Sequence, residues 1–257
     1  MLKMYGISAC ALVSIVALAL PCAAQQNPWN GSWKMDRSTF KYDGPTFSIA
    51  ADADGFSVTR DGKAGPKVPC DGKTSAQSNG RTTTCRKIAA GFELENTSDG
   101  RPVSKVKIEI SPDGNKINQT RDISPPDGVP FTLTSTSTRI SAGPGLSGTW
   151  KETAISTSRD TGVLAIQISG DSVDFKETDD DKPITCKLDG SPTTITGTQT
   201  MTVKQDDPRT LKVTYSSSGK VDRENTLVLS SDGKTLTETD ITPAPWPSTM
   251  SVMFHRP

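Results

Sequence analysis

The segment Gly31-Ser32-Trp33-Lys34 returns as Gly148-Thr149-Trp150-Lys151, displaced by 117 residues along a chain of 257. Further matches follow in the same order at displacements between 116 and 119 residues: Cys70 with Cys186, Asp113-Gly114 with Asp232-Gly233, Asp122-Ile123-Ser124-Pro125 with Asp240-Ile241-Thr242-Pro243, and Arg139 with Arg256. Such an ordered set of matches indicates an internal duplication.

A short Gly/Pro-containing segment, residues 141–145, separates the two copies. Segments of this composition commonly join domains. The sequence therefore predicts a first domain at residues 27–140, a linker at 141–145 and a second domain at 146–257. Each predicted domain is close to the commonest domain size.

Apolar and polar residues alternate within each repeat, as in Val106, Ile108 and Ile110, which are separated by Lys107 and Glu109. Alternation with a period of two is typical of strands that have one buried and one solvated face. Asp-Gly dipeptides punctuate these segments at positions 54, 61, 99, 113 and 232, and they favour tight hairpin turns. The sequence predicts an all-β protein with eight or nine antiparallel strands per copy, arranged as two barrels or as two tandem β-sandwiches.

A Gly-x-Trp motif on the first strand and an arginine on the last strand resemble the lipocalin and fatty-acid-binding-protein group, in particular the small lipocalin-like domains of exported bacterial proteins. The resemblance covers the two ends of each repeat. It implies tandem up-and-down eight-stranded barrels in which the arginine lies across the indole. By this resemblance Trp33 would pair with Arg139, and Trp150 with Arg256. It also implies a small apolar or amphipathic ligand in or at the mouth of each barrel.

Residues 1–24 have the features of a secretory signal peptide: one early cation, Lys3, an apolar run from Ile7 to Leu20, and a small residue, Ala24, before the predicted cleavage site. The alternative interpretation of this segment is a lipoprotein signal in which Cys22 is lipidated. The sequence therefore predicts a protein exported to the periplasm or the extracellular space.

The charge pattern does not favour nucleic acid as a partner. Without the predicted signal peptide the chain keeps 28 Lys and Arg against 29 Asp and Glu, and both signs are interspersed. Nucleic-acid binding requires a basic surface. After the signal peptide no apolar run approaches the length of a membrane helix, so the chain is not expected to span a membrane by helices.

Three cysteines follow the predicted signal peptide. In an oxidising compartment Cys70 and Cys85 are expected to form a disulfide between neighbouring strands of the first repeat. The second repeat has Cys186 but carries Met201 and Val203 where a partner matching Cys85 would fall. Cys186 is therefore expected to be a buried, inert thiol, and a reactive or intermolecular thiol is the alternative.

No recognisable enzyme site is present, so we expect no catalytic residues, no cofactor and no metal site. His255 is the only histidine of the chain, which excludes multi-histidine zinc sites. Carboxylates cluster at Asp52-Ala53-Asp54 and at Asp179-Asp180-Asp181, but neither has the ligand spacing of a calcium loop. Both clusters are interpreted as solvated turns.

The sequence therefore supports two functional hypotheses. The first is a non-enzymatic binding module for a small apolar or amphipathic molecule. The second is a structural or protein-interaction component of the cell envelope with filled barrels. The predicted mature chain has about 28% apolar residues, against roughly 45% in typical domains counted with glycine. A ligand cavity must be lined by apolar side chains that cannot also fill the core. The composition thus favours a small or partly polar cavity.

Overall fold

The computed structural model describes residues 27–76, 80–125, 129–141, 143–158, 162–177 and 182–257. The predicted signal peptide and the Asp179-Asp180-Asp181 cluster lie outside the described residues. The described part is all-β and contains no α-helix. Its strands are β1 Gly31–Asp43, β2 Thr46–Ala51, β3 Gly55–Arg60, β4 Lys63–Ala64, β5 Val68–Pro69, β6 Asp71–Ala76, β7 Arg81–Ile88, β8 Gly91–Ser98, β9 Arg101–Ile110, β10 Lys116–Ile123, β11 Phe131–Ser141, β12 Gly148–Thr157, β13 Val163–Ser169, β14 Ser172–Glu177, β15 Ile184–Lys187, β16 Thr193–Thr196, β17 Gln199–Asp207, β18 Thr210–Ser217, β19 Lys220–Leu229, β20 Thr235–Thr242 and β21 Ser248–His255.

These strands form two antiparallel sheets, which confirms the predicted fold class. The first barrel has the strand order β4-β3-β2-β12-β11-β10-β9-β8-β7-β6, with β5 also paired to β3. The second barrel has the order β15-β14-β13-β1-β21-β20-β19-β18-β17-β16. It is nearly closed, because β15 lies beside β16 and β17.

The first strand of each repeat lies in the barrel of the other repeat. Strand β1 pairs with β13 and β21, so Ser32 lies opposite Ala165 in the second barrel. Strand β12 pairs with β2 and β11, so Thr149 lies opposite Ser48 in the first barrel. The predicted division at residues 141–145 therefore cuts across both barrels. Equivalent strands of a duplicated sequence offer the same pairing pattern, so periodicity alone does not specify which copy supplies the first strand.

The exchanged strands cross at Gly44 and Pro45, between β1 and β2. The backbone N–H of Glu152 donates to the carbonyl of Pro45 at 2.9 Å. A Cβ atom on Gly44 would lie 2.6 Å from the carbonyl oxygen of Glu152. Any side chain at position 44 would force the two chain segments apart, so the crossing requires glycine.

Several predicted turns are present as tight hairpins. Asp61-Gly62 and Asp99-Gly100 each have two consecutive residues with positive φ, between 46° and 75°. Positive φ at both central positions is the signature of a type I′ turn, whose twist matches that of the flanking strands. These dipeptides therefore set the register of the hairpins in the first repeat.

The Trp–Arg stacking expected from the lipocalin resemblance is present, but the partners are exchanged. The guanidinium of Arg139 lies 4.1 Å from the ring centroid of Trp150, and that of Arg256 lies 4.5 Å from Trp33. The predicted pairs Trp33 with Arg139 and Trp150 with Arg256 are therefore wrong. The physical reason is the strand exchange, which carries each tryptophan into the other barrel.

The Gly-x-Trp motif is explained by the same arrangement. Gly148 has a φ of 137°, and a Cβ atom there would lie 2.7 Å from Nη1 of Arg139. The guanidinium of Arg139 also donates to the carbonyl oxygens of Gly114 at 2.7 Å and Ser147 at 2.8 Å. Glycine two residues before the tryptophan thus leaves room for the arginine that covers the indole.

The cysteines follow the prediction. Cys70 and Cys85 form a disulfide, which links the segment between β5 and β6 to strand β7. Cys186 is free and buried in the core of the second barrel. Burial raises the pKa of the Cys186 thiol, which disfavours the reactive thiolate.

Candidate functional site

The first barrel contains a cavity of about 590 Å³ that is partly open to solvent. Ligand pockets for small molecules commonly have volumes of roughly 300 to 1,000 Å³. The cavity is lined from several strands, because residues two apart on a strand face the same side. Its apolar wall includes Phe47, Ile49, Phe56, Phe92, Ile108 and Ile117.

Aromatic side chains form much of this wall. The rings of Phe56 and Phe92 pack with centroids 5.0 Å apart and planes tilted by 30°. Phe56 follows Gly55 at the start of β3, and Phe92 follows Gly91 at the start of β8. Both rings are buried. This end of the cavity therefore offers a flat apolar surface rather than polar partners.

Two arginines lie at the opposite, polar end of the cavity. Arg60 ends strand β3 and Arg121 lies on β10; both side chains line the cavity and are exposed to solvent. Among the described residues, no carboxylate lies within ion-pair distance of either guanidinium. Partial burial and the nearby charge of Arg121 lower the pKa of Arg60. The pair thus places two mutually repelling positive charges at one end of an apolar cavity.

Trp246, between β20 and β21 of the second barrel, covers this end of the first barrel's cavity. Its ring lies 5.3 Å from that of Phe47, and the guanidinium of Arg60 lies 4.2 Å from its centroid. Trp246 is itself a lining residue. We call the end formed by Arg60, Arg121 and Trp246 the cavity mouth. The mouth is therefore built by residues of both barrels.

One carboxylate, Glu152 on β12, also lines the cavity. It accepts a hydrogen bond from the hydroxyl of Tyr42 on β1. Burial raises the pKa of Tyr42, and the hydrogen bond and charge of Glu152 act in the same direction. Next to this pair, Lys151 Nζ lies 2.6 Å from Asp43. Both contacts join the two exchanged strands at their crossing.

The other residues considered from the sequence do not join this cavity. His255 lies on the surface with Nε2 3.5 Å from a carboxylate oxygen of Asp36. Asp52 accepts hydrogen bonds from the backbone N–H groups of Asp54 and Gly55, and Lys67 Nζ lies 2.8 Å from its other oxygen. This is the geometry of a solvated turn, as predicted. In the described part of the chain, no group of three or more His, Cys, Asp or Glu could hold a metal ion.

Arg60, Arg121 and Trp246 were not predicted as site residues from the sequence. A signal for the arginines exists, because each continues the inward-facing alternation of its strand: Phe56, Val58 and Arg60 on β3, and Ile117, Gln119 and Arg121 on β10. Trp246 lies in a turn, and its contact with the first barrel has no sequence signal.

The chain matches no protein-family model and none of the curated proteins. In the ranges that the structure describes, no helix is long and apolar enough to cross a membrane.

Proposed function

We propose that this chain is an exported, non-enzymatic binding protein whose first barrel holds a small amphipathic molecule with an anionic group. The observation that carries the proposal is the pair Arg60 and Arg121 at the mouth of an apolar cavity, which have no carboxylate partner within the described ranges of the chain. The resemblance to lipocalin-like domains supports the same function. The N-terminal segment of residues 1–24 favours export, and the Cys70–Cys85 disulfide is compatible with it.

The anionic group would lie between the two guanidinium groups. Hydrogen bonds from guanidinium to carboxylate, sulfonate or phosphate oxygens are charge-assisted and frequently bidentate. An anion at this place would also reduce the repulsion between Arg60 and Arg121. The apolar part of the ligand would extend toward the rings of Phe56 and Phe92, where its burial is favourable in proportion to the area removed from water.

Trp246 would act as the cover of the bound ligand. Its ring already packs on Phe47 and on the guanidinium of Arg60, so a ligand at the mouth would contact it directly. The other tryptophans, Trp29, Trp33 and Trp150, are fully buried in the cores. Their emission is therefore expected to respond less to the ligand than that of Trp246.

The experiment compares decanoate with decanol by isothermal titration calorimetry. Decanoate should bind the native protein more tightly than decanol, because only decanoate supplies an anion to the arginines. Replacing Arg60→Gln or Arg121→Gln should weaken decanoate binding by roughly tenfold to a hundredfold, since a hydrogen bond to a charged group contributes about 1.5–3 kcal/mol. Binding of decanol should change little.

Arg101→Gln is the matched control, because Arg101 is an exposed arginine of the first repeat and does not line the cavity. It should leave decanoate binding unchanged. Equal losses for Arg101→Gln and Arg60→Gln would show that only the net charge matters. Absence of binding of either ligand would contradict the proposal and favour the alternative of an interaction protein with filled barrels.

A further inference from the structure

The second barrel carries a cluster of polar side chains at the level that corresponds to the mouth of the first. The guanidinium of Arg223 lies 4.2 Å from the ring centroid of Tyr215, and its Nε lies 3.5 Å from Oδ2 of Asp240. Asn225 donates a hydrogen bond from Nδ2 to Oε1 of Glu238. Glu177 also acts electrostatically on this group, because its charge affects Glu238.

The charges of this cluster are inverted relative to the first barrel. Strand pairing identifies the equivalent positions: Arg60 lies opposite Phe47, and Glu177 lies opposite Leu164 at the same point of the second repeat. By the same comparison of registers, Arg121 corresponds to Asp240, so the match of Asp122 with Asp240 made from the sequence is displaced by one residue in the structure.

A third position follows the same trend. Gln119, two residues before Arg121, corresponds to Glu238, two residues before Asp240. Together the three positions change from two arginines and a glutamine to three carboxylic acids. Arg223, which corresponds to Ser104 by strand register, supplies one compensating positive charge. The described residues of the cluster thus include three acids, Glu177, Glu238 and Asp240, and the permanent cation Arg223.

Two oxygen atoms inside the cluster lack a donor. Oδ1 of Asn225 and Oδ1 of Asp240 are buried, and no hydrogen-bond donor of the described residues reaches them. Asn225 is 7% exposed and Asp240 is 4% exposed. A buried acceptor without a donor has lost its hydrogen bonds to water without replacement, and this loss is larger when the acceptor is charged. Because both orphaned atoms are acceptors, the cluster is complementary to a group that donates.

We propose that this cluster, formed by Glu238, Asp240, Asn225 and the rim residue Glu177, binds a small organic cation with an ammonium or amidinium head. Such a head would supply N–H donors to Asn225 and Asp240 and a positive charge to the acids. The inference does not rest on ligand binding by the first barrel. It makes the two barrels of one chain receptors for ligands of opposite charge.

An organic cation fits the cluster better than a metal ion does. The described residues contain no group of three or more His, Cys, Asp or Glu that could surround a metal. One Asp240 oxygen is already directed at Arg223, and one Glu238 oxygen accepts from Asn225. The orphaned oxygens belong to an amide and a carboxylate on paired strands, and an ammonium group can donate to both at once.

The protonation state of Glu238 makes the binding dependent on pH. Burial raises the pKa of Glu238 to about 7, and the nearby charge of Asp240 acts in the same direction. Burial also raises the pKa of Asp240, while Arg223 acts in the opposite direction on both acids. Glu177 and Tyr215 are the other titratable groups of the cluster. Since a cation favours the ionised acid, affinity should rise as the pH increases from 6 to 8.

The test uses propylammonium chloride, titrated into the full chain at constant ionic strength and followed by calorimetry and by the side-chain amide NMR signal of Asn225. Saturable binding that shifts this signal and strengthens from pH 6 to pH 8 is the expected result. Glu238→Gln should weaken it by tenfold or more at pH 8, and Asp240→Asn should do the same. Propanol should not bind.

Asp222→Asn is the matched control, since Asp222 is an exposed acid on the same strand as Asn225 and its carboxylate accepts a hydrogen bond from Ser217, outside the cluster. It should leave propylammonium binding unchanged. The proposal is overturned if propylammonium shifts no Asn225 signal in the native protein, if Glu238→Gln binds as well as the native chain, or if Ca²⁺ binds there in preference. Decanoate binding by the first barrel is measured separately, so either proposal can be contradicted without affecting the other.

Discussion

Replacing Arg256 by alanine should destabilise the second barrel, even though Arg256 is the penultimate residue of the chain. Its guanidinium stacks on Trp33 at 4.5 Å and donates to the carbonyl oxygens of Gly233 at 2.9 Å and Asn30 at 3.0 Å. A cation–π contact contributes about 0.5–2 kcal/mol, and each hydrogen bond about 0.5–1.5 kcal/mol. Because Arg256 is exposed, we take the lower part of these ranges and expect a loss of about 2 kcal/mol.

The partner of Arg256 is then identified with double-mutant cycles. In a Trp33→Phe background, Arg256→Ala should cost about 1 kcal/mol less than in the native chain, because residues in contact couple. In a Trp150→Phe background its cost should be unchanged, within the roughly 0.3–0.5 kcal/mol typical of independent sites. Arg139→Ala should show the opposite pattern. Urea unfolding followed by far-ultraviolet circular dichroism measures these free energies without relying on tryptophan emission.

Coupling of Arg256 to Trp150, with additivity toward Trp33, would refute this reasoning. That result would place each tryptophan in the barrel of its own repeat. Additivity of Arg256→Ala in both backgrounds would show that its stacking on Trp33 does not contribute to stability.

Three further predictions concern the cysteines and the buried acid. Leu188 and Val203 occupy the positions equivalent to Cys70 and Cys85, because Asp189 pairs with Lys204 as Asp71 pairs with Arg86. In a Cys186→Ser background, Leu188→Cys with Val203→Cys should therefore form a disulfide and stabilise the second barrel by about 3 kcal/mol; free thiols at both positions on peptide mapping would contradict this. Reducing the Cys70–Cys85 disulfide, which spans 15 residues, should destabilise the first barrel by about 3 kcal/mol, whereas an equal loss in both barrels would contradict its local role. The pKa of Glu238 is raised to about 7 in the folded state. Its contribution to the free energy of unfolding is therefore complete below the unfolded pKa near 4.5 and is lost as the pH rises through 7. The midpoints of urea unfolding should fall from pH 5 to pH 8, and Glu238→Gln should flatten this dependence.

The strands and turns of each repeat could be predicted because their causes are local. Alternation such as Val106, Ile108 and Ile110 specifies a strand and its buried face without reference to the rest of the chain. Asp-Gly dipeptides specify turns because glycine adopts positive φ at low cost. The Cys70–Cys85 disulfide was predictable from its spacing on neighbouring strands and from the predicted export.

The strand exchange could not be predicted because it leaves every local pattern unchanged. Trp33 and Trp150 lie in equivalent surroundings, so no local pattern indicates which barrel receives which first strand. The one local feature that permits the crossing, Gly44-Pro45, also occurs in ordinary turns.

The cavity mouth was missed for a related reason. The inward orientation of Arg60 and Arg121 can be recognised only from the strand register. Without the register, an arginine in an alternating strand is predicted to face solvent. Trp246 reaches the first barrel from the second. Its role depends on the packing of the two barrels, which no spacing along the chain encodes.

The exchange of first strands is tested most directly by cross-strand disulfides in a Cys186→Ser background. Ser48 Oγ lies 3.0 Å from Thr149 Oγ1, so Ser48→Cys with Thr149→Cys should form a disulfide with the exchanged strand of the first barrel. At the equivalent point of the second barrel, Ser32 faces Ala165.

Ser32→Cys with Ala165→Cys should therefore form a disulfide in the folded monomer, detected by peptide mapping. Ser32→Cys with Ser48→Cys should leave both thiols free. If instead positions 32 and 48 form the disulfide and positions 32 and 165 do not, each repeat closes its own barrel and the strand exchange is wrong.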